Sequence, residues 1–236
     1  MTGAAVLDQL AARVRAMEGA APVRDRLPTL PALSQVVPGG VLRGATYEVS
    51  ASLSLSTALV AGPSAAGAWC AVVGVPELGA EAAAALGVAL ERTILVPAPG
   101  EHWPHVVSAL ADVTDAILLR PPTPVRDGEA QRVAARLRQH RTTLVVLAAR
   151  PGAWPRAQGR LEVTESRWTG VGEGFGHLQR RRVTVSATSR GGRPHRTRLW
   201  LDTVAEPDAS VVVAEAAEAD ASVVAWRRPG RFEVAS

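Results

Sequence analysis

Lysine is absent: all 26 basic residues of this 236-residue chain are arginine. That removes phosphate-loop lysines, Schiff-base chemistry, Ser-x-x-Lys dyads and kinase-type strand lysines together. Cysteine occurs once, as Cys70, so an intrachain disulfide or a cysteine-rich zinc site is excluded. Its apolar surroundings, Trp69-Cys70-Ala71-Val72-Val73, read as a buried position. Aromatic residues are few (4%), and six of them are tryptophan. No charge occurs between Glu48 and Glu77. Serines and Gly62-Pro63 interrupt that stretch, which suits a short buried helix, a turn and a buried strand better than a membrane span. The start lacks a basic segment before an apolar run, so no signal peptide is expected, and the protein reads as soluble and cytoplasmic.

What is present is ordinary globular composition, 47% hydrophobic and 20% charged. The charge is uneven. Residues 121–203 carry a net of +10, whereas 1–120 and 204–236 each carry −3. A basic block of this kind suits a nucleic acid or an acidic protein, or serves as solvated strand and helix surface.

Periodicity divides the chain. Residues 4–18 place apolar side chains at helical spacing, and a Pro-rich connector follows, so 1–26 reads as an N-terminal helix and linker. Strands are expected at Thr46–Ser50, Trp69–Val75, Thr93–Val96, Ala116–Leu119 and Thr142–Ala148. Helices are expected at Leu53–Ala61 (ended by Gly62-Pro63), Ala80–Leu86, His102–Asp112 and Gly128–His140. This alternation implies an α/β fold with a mainly parallel sheet flanked by helices. Beyond residue 160 the pattern alternates, at Leu161–Trp168, Arg182–Thr188 and Arg196–Asp202, predicting C-terminal antiparallel strands. The core thus spans 27–203. Residues 204–236 form a tail whose acidic, small-residue stretch gives way to a cluster with Trp226, Arg227, Arg228 and Phe232. These are residue types that dominate interfaces, and the segment suits either partner docking or one more edge strand.

Several other patterns carry little chemistry. Glu101-His102-Trp-Pro-His105 lacks a third ligand and reads as a helix start with Pro104 in the first turn, so no metal is expected. The Gly170–Gly176 run misplaces the third glycine of a dinucleotide fingerprint.

The stretch Pro38-Gly-Gly-Val-Leu-Arg-Gly44-Ala-Thr-Tyr-Glu48-Val, the segment Leu86-Gly-Val88 entering a strand, and Asp115-Ala-Ile-Leu-Leu119 resemble, in collinear order, the core of the RecA family. The resemblance covers residues 27–202. It implies a RecA-like fold, and also marks what is lost. Where the family has its phosphate loop, this chain reads Ala51-Ser-Leu-Ser-Leu-Ser56-Thr57-Ala58, without glycines, lysine or the metal-binding hydroxyl. Arg120 stands at the metal-side aspartate, and no carboxylate occurs near the catalytic glutamate's place until Glu77. No cofactor and no enzymatic activity are therefore expected. The chain is similar to the ImuA group of RecA-like accessory proteins in damage-induced (SOS) mutagenic translesion synthesis. That similarity implies as partners an ImuB-like Y-family polymerase homologue and, through it, an error-prone polymerase and a sliding clamp, with nucleoid association on DNA damage. Self-association through the N-terminal helix is a further expectation. Arg180, Arg181, Arg182, Arg193 and Arg196 are the expected contacts to DNA or an acidic partner. The alternative function is an ATP-independent, non-sequence-specific DNA-binding module.

Overall fold

The computed structural model describes residues 25–171, 176–201 and 224–225. The expected N-terminal helix lies outside them, as do Trp226, Arg227, Arg228 and Phe232.

Continuous apolar runs become the middle of the sheet. Strands β4 (Cys70–Val73), β6 (Ala116–Leu119) and β7 (Thr143–Ala148) are buried along their whole length, as parallel strands covered on both faces must be. With β3 (Thr46–Ser50) and β5 (Thr93–Val96) they form the parallel part. Strand β8 (Gly159–Val171) joins β3 in parallel, and β9 (Gly176–Ser189) and β10 (His195–Trp200) extend the sheet antiparallel. The strand order is β10-β9-β8-β3-β7-β6-β4-β5. The fold class is thus a mainly parallel sheet flanked by helices, with antiparallel C-terminal strands. A small antiparallel ladder of β1 (Arg26–Leu27) and β2 (Val41–Leu42) precedes it. From the tail, β11 (Val224–Ala225) pairs antiparallel with β8 at Trp168 and Arg167.

Helix α1 (Leu53–Ala65) packs on one face with Leu33, Val36, Val37, Tyr47, Val49 and the inward residues of β8–β10. Helices α3 (Trp103–Leu110) and α4 (Asp127–His140) cover the other, around Trp103, Val133, Leu137 and Trp154. Trp103 and Trp154 meet edge to face at 6.1 Å. Helix α2 (Ala80–Ala85) packs against Ala61, Leu86 and Val88. Among the described residues, no helix is long and apolar enough to cross a membrane.

One boundary is corrected. Gly62-Pro63 does not end α1, which runs on to Ala65. Pro63 forfeits a single ladder bond near the helix's last turn, and Ala66 N–H still reaches the Gly62 carbonyl at 3.2 Å. Gly62 is there because the chain crosses closely: a Cβ on it would lie 2.6 Å from Thr29 Cα.

Candidate functional site

The C-terminal end of β3 is where a nucleotide-binding loop would begin. Here the strand ends at Ser50 and α1 starts at Leu53, leaving two connecting residues. Ala51 takes a left-handed φ of 50° and its N–H is held by the Ala148 carbonyl at 2.8 Å. The Ser52 hydroxyl caps the helix by accepting from Leu55 N–H at 3.4 Å. Positions Ser56, Thr57 and Ala58 lie inside the helix and are buried. The two hydroxyls donate to their own helix, Ser56 to the Ser52 carbonyl and Thr57 to the Leu53 carbonyl, both at 2.9 Å. The backbone that would cradle phosphate has been wound into two helical turns.

The neighbouring positions are also committed. Arg120, just beyond β6, forms an ion pair with Glu77 from the loop after β4. The Glu77 carboxyl is held below its usual range by its own backbone N–H and by Arg120. Arg181 reaches the α1 N-terminus from β9, donating to Ser54 Oγ at 2.6 Å and Ser166 Oγ at 2.9 Å. Burial lowers its pKa from the ordinary arginine value. With Ser54, Leu78, Ala82 and Leu86 it lines a cleft of about 350 Å³. Among the described residues no three His, Cys, Asp or Glu side chains are grouped to hold a metal. Cys70 is fully buried, and burial pushes its thiol up to about 12.

The sheet's other half offers a different surface. The three consecutive arginines of β9 alternate sides, as a strand requires. Arg181 faces α1 and lies 5.4 Å from the Trp168 ring. Arg180 and Arg182 point the other way and flank Trp200 at 4.4 and 5.7 Å. The pairing register puts Arg182 between Trp200 of β10 and Arg167 of β8. Arg196 and Arg198 alternate with inward Leu199 and share the outward face. Among the described residues, Arg167, Arg182, Arg193, Arg196 and Arg198 form no ion pair. Glu162 and Glu165 are the acids on this face, and both belong to β8. The positive band therefore follows β10 and the adjoining part of β9. Of the five arginines read from the sequence, Arg180, Arg182 and Arg196 are brought to one face. Arg193 is exposed in the β9–β10 turn, and Arg181 is half-buried on the opposite side.

Among the described residues, no helix covers this face. The link from β7 to β8 is a loop, residues 149–158, crossing the sheet where a helix would be usual. Glu48, fully buried in β3, holds that loop: its carboxylate accepts Gly152 N–H at 2.5 Å and Trp154 N–H at 2.8 Å. Arg160 approaches the same carboxylate at 3.7 Å. Sequence reading takes Glu48 as part of the resembling Glu-bearing strand but not as the holder of a loop, because Gly152 and Trp154 lie about a hundred residues away in the chain.

With this geometry in hand, comparison with known proteins places the chain. The family described as MT3502 N-terminal domain matches residues 35–156. The chain belongs to that family. The matched MT3502 stretch runs from the β1–β2 region through the Glu48-held loop and stops short of β8–β10. The uncharacterized protein Rv3395c of Mycobacterium tuberculosis is 35% identical over 133 residues, covering 53% of this chain. The chain spans 62% of that relative's length. A crystal structure of the RadB recombinase is similar with a TM-score of 0.49 and 14% identity, over 71% of this chain and 92% of that one.

Proposed function

We propose that this protein is a non-catalytic accessory protein of damage-induced translesion synthesis. In this reading a RecA-like scaffold serves as a platform for an ImuB-like Y-family polymerase homologue. An error-prone polymerase and a sliding clamp join through that homologue, in the cytoplasm and at the damaged nucleoid. The observation that carries the non-catalytic part is the two-residue connection between Ser50 and Leu53. Phosphoryl transfer relies on positioned backbone amides, a lysine and a metal, and the space for the amides is occupied by helix. The choice of partner rests on the sequence resemblance to the ImuA group. The test pairs a pull-down of a polymerase homologue encoded beside this gene with an ATP titration. Capture without nucleotide, and no ATP binding, is expected. Micromolar magnesium-dependent ATP binding, or failure to capture the homologue, overturns the reading.

A second reading is favoured by the arginine face: the same protein contacts DNA without ATP and without sequence preference. Guanidinium groups along a strand recur about every 7 Å, a spacing suited to successive phosphates, which carry no sequence information. Salt-dependent binding to unrelated oligonucleotides with equal affinity is the expected behaviour.

A further inference from the structure

At the opposite end of β3 from the closed loop position lies a cleft of about 420 Å³. One face of α4, Asp127, Gln131, Ala134 and Arg138, forms a wall; Pro155 and Arg156 form the other, and Arg190 closes the rim. Thr46 lies against the floor, only 6% exposed, and its hydroxyl makes no hydrogen bond among the described residues. Arg138, Arg156 and Arg190 likewise form no ion pair among the described residues.

The local backbone brings these groups together. Gly44 lets α4 close onto the start of β3, since a Cβ there would sit 3.1 Å from Arg138 Cα. Gln158 N–H bonds the Thr46 carbonyl, and Arg190 N–H bonds the Gln158 carbonyl, both at 2.8 Å. Thr46, Arg138 and Arg190 thus share one end of the cleft. Arg156 is set on the rim by a left-handed backbone, φ 56°. The one acid, Asp127, is eleven residues before Arg138 on α4, so about 16 Å along the axis separates them. The cleft is cationic toward the Thr46 end, which the Thr46 hydroxyl shares with Arg138 and Arg190 of the lining.

We propose that this end of the cleft is a phosphate-binding site. Its ligand is a phosphate ester of a nucleotide, met either as part of a nucleic-acid strand leaving the adjoining arginine face or as a free mononucleotide. Guanidinium forks match phosphate oxygens in bidentate geometry, and a hydroxyl supplies the remaining donor. The site lies away from the closed loop position and requires no magnesium. It stands whether or not the polymerase homologue is the partner.

The test uses the full chain with dTMP, inorganic phosphate and a short single-stranded oligonucleotide, at low salt. One double variant, Arg138→Gln with Arg190→Gln, removes two of the cleft's three guanidinium groups; a control, Arg92→Gln with Arg132→Gln, removes the same charge at exposed positions outside both the cleft and the sheet face. Calorimetry is expected to show saturable dTMP binding to the wild type and the control, weakened about tenfold or more in the cleft variant. A parallel loss of oligonucleotide affinity in the cleft variant assigns the site to a strand; loss for dTMP alone assigns it to the free nucleotide. If dTMP and inorganic phosphate both fail to bind the wild type, or the cleft variant binds dTMP as the wild type does, the proposal is wrong.

Discussion

The two halves of this sheet solve the same folding problem with different solvents. From β3 to β5 the strands are packed between helices, and every residue of β4, β6 and β7 is buried. From β8 to β10 one face packs into the core through Leu161, Val183, Val185, Ala187 and Leu199, while the other meets water through arginine. The difference originates in the single connection at residues 149–158, a loop where the parallel half uses helices. Buried Glu48 makes that substitution tolerable by satisfying two backbone N–H groups that a helix would have satisfied internally. Among the described residues this connection leaves the face without a covering helix, and the Glu48 carboxylate holds the loop in place.

The largest effect is therefore expected at Glu48. Glu48→Ala leaves two N–H groups without their acceptor and removes the charge facing half-exposed Arg160, and a loss of about 2–4 kcal/mol follows, mostly from the two orphaned donors. Urea denaturation measures it, and limited proteolysis should cut first within 149–158. Glu48→Gln keeps one acceptor oxygen and should lose less. A Glu48→Ala protein as stable as the wild type would show that the loop is held by Trp154 alone. Next in size is Gly62→Ala, in the buried half. Its Cβ would overlap the Thr29 and Leu30 backbone, at 2.6 and 2.8 Å, so about 1–3 kcal/mol should be lost. A neutral result would mean the 28–30 segment yields easily.

How far the sequence shows these halves depends on what sets each element. Strands β3, β5 and β6 have the expected bounds, since apolar runs bordered by turn residues have no competing reading. The alternation beyond residue 160 reveals β8 to β10 but underestimates both β8 and β9, the latter because Arg180 and Arg181 suggest solvent-facing charge ahead of a strand expected to begin at Arg182. Single-residue alternation could have separated Arg181 from its neighbours, had the strand been known to include all three. Arg138, Arg156 and Arg190 are 52 residues apart at their extremes, so nothing local signals that α4, the loop and a turn bring them to one cleft. Likewise the loss of the glycines at 51 and 56 and the helix start at Leu53 are plain in the sequence, whereas the continuation of α1 through Gly62-Pro63 to Ala65 depends on tertiary packing.

Smaller in stability, but larger in charge, is the effect on the exposed half. Arg182→Ala and Arg198→Ala should each change stability by no more than about 0.5 kcal/mol, being surface replacements. If DNA lies on this face, each should lower the log–log salt slope of binding by about 0.7–0.9. Arg181→Ala should instead act on the fold, since Arg181 bonds Ser54 and Ser166. Equal effects of all three on the salt slope would erase the distinction between the two faces of β9.

The smallest effect on binding is expected where the sequence departs most from a nucleotide-binding loop. Ala51→Gly restores the first glycine of such a loop. The left-handed φ of 50° costs an alanine about 1–2 kcal/mol, and glycine relieves it. Glycine also gives the unfolded chain about 0.4–1 kcal/mol of added freedom. The two terms nearly cancel, and a net gain of about 1 kcal/mol or less should appear in thermal melts. ATP affinity should not return. Two residues reach about 7 Å when extended, too short to wrap a triphosphate, and the Ala51 N–H is already committed to Ala148. Adding Ser56→Gly supplies the second glycine but places it within α1, where it weakens the helix without opening it. Nucleotide binding depends on loop length before residue identity. Magnesium-dependent ATP binding by the double variant, seen by calorimetry, would show that α1 unwinds readily and that the buried half is less fixed than its packing implies.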